Sequence, residues 1–453
     1  MQTKTQTVAG WGNYPIVTAR VSVPREEADW QAATLDHPLV VRGLGRSYGD
    51  QAIDSQATVA ITRHMNHLLH FDDQTGVLVC QAGVSLADII TTLAPRGWFP
   101  VVNPGTKYVT VGGAIANDIH GKGHHRDGSF ANCVHSFTIL VANNKVLTAS
   151  REAHADLFWA NFGGLGLLGV ILTVTLQLER IETTYYAQKA IRVGGLDEML
   201  EALQAYNQHY RYSVAWINPQ AQNKRLGQGV LTVGNQATFD DLPASLRRKP
   251  LALHQPPRLR LPFFLPNFSL NPVTLMVLNQ LIFRLQNSSN PISHYDKFLF
   301  PLDFVHQWNR GYGRRGFVQY QFVIPTESAS AIRPILQAIA ASACLPFLNV
   351  LKKMGSRTHE QATLSFPQEG FTLAIDFPIT RHLAPLAHRL DQLVMEAGGR
   401  VYLGKDALLD ATTFQSMYPQ YAEWLMVKAK YDQENRFTSS LAKRLNLVAE
   451  QMQ

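Results

Sequence analysis

The stretch "GGAIANDIHGKGHH", Gly112 to His125, holds four glycines and three histidines in fourteen residues. A metal site, a catalytic histidine cluster and a backbone loop wrapped around a large flat ligand are the three readings to separate. Histidines four apart share a metal only when a helix brings them to one face. Gly121 and Gly123, lying between His120 and His124, disfavour helix, and no acidic side chain stands at ligand spacing, so no metal is expected. His124 and His125 read as hydrogen-bonded structural residues, whereas His120 stays a candidate for chemistry. Glycine reaches positive φ and lets backbone N–H groups close on a phosphate with no side chain in the way. Two more such stretches occur, "GLGRSYG" at Gly43 to Gly49 and "GGLGLLG" at Gly163 to Gly169. Three glycine turns ending β-rich runs point to an extended ligand with a diphosphate and flat rings. A strand followed by GxGxxG and a helix is absent from the N-terminal region, so the dinucleotide fold expected here is not the Rossmann one.

The chain has 453 residues, too many for one comfortable core, so two domains or one domain with a large insertion are expected. With 46% hydrophobic and 17% charged residues, it has the composition of a soluble globular protein. Cys80, Cys133 and Cys344 are odd in number and far apart, which argues against a disulfide framework and a zinc site. The net charge of +7 suits nucleic acid, an anionic lipid surface or phosphorylated ligands. The charges are spread and no recognisable nucleic-acid module appears, so no nucleic-acid partner is expected. The opening "MQTKTQTVAGWGNYP" lacks an apolar core after a basic flank, and the expected location is cytoplasmic, with room for a peripheral position at the inner face of the membrane.

From about Pro38 to Leu178, short apolar runs punctuated by glycine read as a mixed α and β region, with an amphipathic helix around Ser85 to Arg96 and a strand from Val170 to Leu178. After about Thr183 the β-prone runs "YSVAWI", "FVQYQFVIP" and "FTLAIDFPI" alternate with helical patterns, as in an antiparallel sheet backed by helices. The expected division is 1–182, 183–398, and a terminal segment 399–453 that returns to the first domain. Leu261 to Phe283 carries no charge, yet Pro262, Pro266 and Pro272 argue against a spanning helix. Arg247, Arg248, Lys249, Arg258 and Arg260 precede it and Arg284 follows. Such a segment suits either an anionic membrane surface, with Phe263, Phe264 and Phe268 dipping in, or a core covered by the other domain.

"VVRGLGRSYGDQAI", "NPGTKYVTVGGAIANDIHGKGHHRDGSF" and "FWANFGGLGLLGVI" resemble the FAD-binding domain of the vanillyl-alcohol oxidase and p-cresol methylhydroxylase flavoprotein class. "FVQYQFVIP", "FTLAIDFPI" and "GGRVYLGKD" are similar to the branch of that class that oxidises the 2′-hydroxyl of a polyprenyl-phosphoryl ribose, the flavin half of an epimerase. The resemblance implies an α+β fold, with an FAD-binding domain of two α+β subdomains and a substrate domain whose antiparallel sheet is backed by helices. It implies that Gly43, Gly45, Arg46, Ser47 and Tyr48, with Gly105, Thr106, Gly112, Gly113 and Ala116, cradle the FAD diphosphate. Arg42, Leu44, Asn117, His120, Gly121, Gly169, Ile171 and Lys405 complete the implied cofactor set. Many relatives attach flavin through a histidine before the serine of the first loop. That place holds Arg46 here, so non-covalent FAD is implied.

For catalysis the resemblance implies Lys405, His120, Gln321, Lys122 and Tyr48; for substrate it implies Trp216, Gln319, Gln321, Lys353 and Lys405. His120 titrates nearest neutrality, and Lys405 serves either as a base or as a fixed cation for a developing alkoxide or a substrate phosphate. The thiol that mycobacterial members carry before their "VDFP" is absent from Leu373-Ala374-Ile375-Asp376. A polyprenyl-phosphoryl sugar and a separate NAD(P)H-dependent keto-reductase are the implied partners. The alternatives are a soluble aldonolactone or alditol oxidase of the same fold, or a non-catalytic flavin or nucleic-acid binding protein.

Overall fold

The computed structural model describes residues 3–218, 221–253, 259–285, 291–356 and 359–448. Short β-prone runs in the first third build two sheets. One orders Thr3–Ala9, Ile16–Ser22, Thr58–Ile61 and Leu39–Arg42, the first pair antiparallel and the rest parallel. The other centres on Val170–Arg180, whose alternating pattern buries one face. Val77–Gln81, Val134–Leu140 and Trp98–Pro100 pair with it, and Leu68–Phe71 and Val146–Ser150 lie outside. Ser85 caps the helix Leu86–Leu93 by accepting from the Asp88 N–H, and Leu86, Ile89, Ile90 and Leu93 form its buried stripe.

From Tyr185 onward the chain forms an eight-stranded antiparallel sheet in the order Ile292–His294, Tyr185–Val193, Gly229–Gln236, Tyr212–Ile217, Asn349–Met354, Gly370–Pro378, Phe317–Pro325, Arg400–Val401. Directly opposed residues point to the same face, and neighbours along a strand to opposite faces. The register pairs Trp216 with Val350, Lys352 with Thr372, Gln321 with Ala374 and Gln319 with Asp376. One face of the sheet therefore carries Trp216, Lys352, Thr372, Gln321, Gln319 and Asp376. The other carries Val318, Tyr320, Phe322 and Leu373, buried in the core that also holds Ile335 and Ile339 of the helix Ile332–Ala341 and Leu390 and Val394 of the helix Leu383–Glu396.

Arg400–Val401 is still an edge strand on Phe317–Pro325, and the chain crosses back after it. The helix Tyr421–Tyr431 lies on Ala155–Asn161, where the Trp424 indole N–H donates to the Ala160 carbonyl at 3.0 Å. Arg444 pairs with Asp50 at 2.8 Å and with Asp406 at 2.9 Å, closing the segment onto the first domain.

The helix Pro272–Leu285 has 14 residues, and no described helix is long and apolar enough to cross a membrane. Several apolar side chains before and within it are exposed: Phe263 is 63% exposed and Phe268 77% exposed, and Val273, Met276 and Val277 are exposed too, whereas Leu275 is buried. Arg258 lies outside the described residues, as does the side chain of Arg284.

Candidate active site

The three glycine turns meet. A Cβ on Gly43 would lie 2.4 Å from Thr110 Oγ1, so the first turn packs on the N-terminus of the helix Val111–Ala116. Thr110 caps that helix, accepting from the Gly113 N–H at 3.1 Å. From the third turn, the N–H groups of Gly163 and Leu165 donate to the carbonyls of Ile115 and Ala116 at 3.3 and 2.8 Å. In the first turn Gly45 adopts φ 65°, which favours glycine. The four consecutive N–H groups from Leu44 to Ser47 have no acceptor among the described residues, a concave donor array of the kind that binds a diphosphate. Gly105 borders open space, and the buried Asn117 Oδ1 has no partner. These features fit FAD.

Not every side chain implied in the cradle turns toward it. Arg42 donates to the carbonyls of Ala52 and Ala9 at 3.0 and 2.7 Å and supports the turn from beneath. Leu44 exposes its side chain, and only its backbone suits a ligand. Arg46 lies with its guanidinium carbon 4.0 Å from the Trp11 ring centroid, and its Nε is buried without a partner among the described residues. Gly121 packs under the Asn103 backbone, and Gly169 and Ile171 begin the central strand of the second sheet, Gly169 against the Leu140 carbonyl.

His120 comes from the loop after the helix Val111–Ala116 and lies on the polar face of the large sheet. Its Nε2 is 3.2 Å from Gln321 Nε2 and its Nδ1 3.2 Å from Lys352 Nζ. Gln321 also donates to Thr372 Oγ1 at 3.0 Å. Burial, then Lys352, His124 and Lys405, push His120 well below its ordinary value, so the ring is neutral. Beside this group, Lys405 Nζ donates to Gln319 Oε1 and lies 4.9 Å from the centroid of the Tyr48 ring. A Cβ on Gly49 would lie 1.9 Å from the Asp406 carbonyl oxygen, which is how closely the returning segment packs on the first turn. Burial lowers Lys405 to about 8, against the opposing pull of Asp376, and lowers Lys352 and Lys122 to about 7. Burial and the Asp376 charge keep the Tyr48 phenol protonated.

Lys122 turns its ammonium to the Phe298 carbonyl. It reaches the cluster only through its charge, which lowers Lys352. Trp216 stands on the same sheet face, two strands from Gly370–Pro378, and its indole N–H has no partner among the described residues. His124 Nδ1 accepts from the Gly355 N–H at 3.2 Å, and His125 Nε2 lies 3.0 Å from the Tyr210 carbonyl. Lys353 is a correction: it opposes Phe371 across the strands, lies 5.5 Å from that ring, and points away from the site. The residue in the site is its neighbour Lys352. Asp376, Thr372 and Tyr312 are also part of the cluster and were not singled out by the sequence.

A glycine-turn domain set against a polar sheet face is the architecture of the vanillyl-alcohol oxidase class, and the chain is an FAD-dependent oxidoreductase. Comparisons with known proteins agree. The family model described as "FAD binding domain" matches residues 24–150, and that described as "D-arabinono-1,4-lactone oxidase" matches residues 321–445. The chain is 38% identical to decaprenylphosphoryl-beta-D-ribose oxidase of Mycolicibacterium smegmatis, over 98% of each chain. It is 33% identical to an uncharacterized protein of Streptomyces coelicolor over 80% of this chain and 100% of that one, and 32% identical to L-gulonolactone oxidase of Bos taurus over 40% of each. The chain belongs to the decaprenylphosphoryl-beta-D-ribose oxidase family.

Proposed function

We propose that this enzyme oxidises the 2′-hydroxyl of a polyprenyl-phosphoryl ribose to the 2′-keto sugar, the first half of an epimerisation that a separate NAD(P)H-dependent reductase completes. The carrying observation is the convergence of Lys405, Gln319, Gln321 and His120 on one sheet face beside the glycine turns, in a chain alike from end to end to an oxidase of that substrate. When bound, FAD would supply the acceptor for the hydride that leaves the carbinol carbon. Gly43 to Ser47, Gly105, Thr106 and the helix Val111–Ala116 hold it, and with Arg46 in the place of an attachment histidine they hold it without a covalent bond. Lys405 takes the hydroxyl proton. Both His120 ring nitrogens are engaged by Lys352 and Gln321, whereas the Lys405 ammonium donates to Gln319 alone among the described residues. A base with a value of about 8 is matched to a reaction near neutrality. Gln321 and Lys352 orient His120, and Trp216 bounds the sugar pocket.

The exposed Phe263 and Phe268, with Arg260 preceding them and Arg310 held on the Leu261 and Pro262 carbonyls, support a peripheral contact with an anionic membrane, from which a lipid-linked substrate is drawn. The aldonolactone oxidase reading is favoured by the match over residues 321–445 and opposed by Arg46. Turnover on lipid-linked ribose, with the product two hydrogens lighter by mass spectrometry, is expected. Turnover only on free aldonolactones or alditols overturns the lipid reading, and yellow colour staying with acid-denatured protein overturns the non-covalent one.

A further inference from the structure

Asp376 sits in the middle of the strand Gly370–Pro378, fully buried, with no cation on either carboxylate oxygen. Its Oδ1 accepts from Gln319 Nε2 at 2.5 Å and its Oδ2 from the Tyr312 hydroxyl at 2.8 Å. The backbone on both sides is fixed: its N–H donates to the Leu348 carbonyl and its carbonyl accepts from the Phe347 N–H, both at 3.0 Å. Tyr312 is clamped in turn, stacked on Phe317 with ring centroids 3.9 Å apart. A carboxylate buried among neutral donors costs stability, and a packed apolar residue would fill the same space at less cost. What the carboxylate adds is direction. An ionised carboxylate only accepts, so the Gln319 amide must face it with its nitrogen and present its oxygen to the other side, where Lys405 donates.

We propose that Asp376 is a positioning residue, which through Gln319 fixes where the Lys405 ammonium points and supplies the buried counter-charge that Lys405 feels. This rests on the reading of Lys405 as the group at the reacting hydroxyl. Other groups face the pair from each packed element: Tyr48 from the first turn, Tyr312 from the short helix Trp308–Tyr312, Lys352 from the neighbouring strand on the same sheet face, and His120 from the loop after the helix Val111–Ala116. Tyr48 and Tyr312 stay neutral phenols and His120 stays neutral, so in the working range Asp376 is the anion that Lys405 feels, Lys352 and behind it Lys122 are the other titrating cations, and Arg46 and Asp303 act on Tyr48.

The test uses the FAD-loaded full chain and Asp376→Asn, which keeps the shape, removes the charge and frees the amide to flip. The midpoint for acetylation of Lys405 by acetic anhydride, read by peptide mass spectrometry across pH, is expected to move acidward by about one pH unit. With any alcohol that the wild type oxidises, the rising limb of kcat against pH moves the same way. kcat falls at least about tenfold, as expected when an amide flip costs a charged hydrogen bond, with KM changed less, and Asp376→Glu restores part of the loss. An unmoved labelling midpoint in folded Asp376→Asn overturns the proposal. Since labelling needs no substrate, that result is distinct from a failure of the substrate reading. If Asp376→Asn does not accumulate as folded holoprotein, Gln319→Met cuts the same relay: its Lys405 midpoint also moves acidward, and an unmoved one overturns the proposal.

Discussion

Burial holds Lys405 near the middle of the working pH range, and that fixes what its replacement does. Below about 8 the amine is protonated and unable to take a proton; above it the neutral form accumulates, so kcat/KM rises with pH through this region. Lys405→Met is expected to lower kcat by about 10²–10⁴-fold with FAD retained. Lys405→Arg is expected to be as inactive, because a guanidinium does not deprotonate. Steady-state rates across pH check this, and an active arginine variant with a flat alkaline profile contradicts the role of base. At this level the sequence marked His120, Gln321, Gln319, Tyr48 and Lys405, all of which the fold brings together. It chose Lys353 over Lys352 because two adjacent lysines on one strand differ only in the face they point to. That face depends on the phase between Asn349–Met354 and Gly370–Pro378, which is a long-range pairing. Asp376 escaped for a related reason: a single carboxylate in "LAIDFP" acquires meaning only once it stands opposite Gln319.

The helix Tyr421–Tyr431 and the third glycine turn are joined by one side chain. Lys428, buried, donates to the Leu167 carbonyl at 2.6 Å and the Phe437 carbonyl at 2.8 Å and pairs with Asp432. Replacing Lys428 with Met leaves Asp432 buried and its charge uncompensated, at an expected cost of about 3–5 kcal/mol. Lys428→Met/Asp432→Asn is expected to recover part of this. Urea unfolding of the holoprotein measures both, and a Lys428→Met variant as stable as wild type contradicts the role. Strongly patterned elements were legible beforehand: the capped helix Leu86–Leu93, the strand Val170–Arg180, and the strands Phe317–Pro325 and Gly370–Pro378 with their covering helices. Their patterns are local. Which helix a buried lysine serves is not a local property, and "VKAKY" carries no sign that the first lysine is inside and the second outside.

For the whole molecule, the return of the chain after Val401 brings Lys405 to the first turn and makes the cleft a property of both domains. The composition and the three glycine stretches pointed to a two-part dinucleotide binder, while the order of eight strands spread between Tyr185 and Val401 was beyond any reading of periodicity. The exposed Phe263 and Phe268 are part of this same picture. Phe263→Ser/Phe268→Ser is expected to lose co-sedimentation with vesicles containing phosphatidylglycerol while keeping turnover on detergent-dispersed substrate, since burial of two phenyl rings drives adsorption but not chemistry. Vesicle binding equal to that of wild type contradicts a membrane role for this surface. The central claim, that backbone glycine turns hold FAD against a sheet face built to oxidise a lipid-linked ribose, is tested most directly by mixing the yellow holoprotein anaerobically with polyprenyl-phosphoryl ribose. Rapid, stoichiometric loss of the flavin colour, slowed by about 10²–10⁴-fold in Lys405→Met, is the predicted result. Colour that persists with lipid-linked ribose but is lost with a free aldonolactone would contradict it.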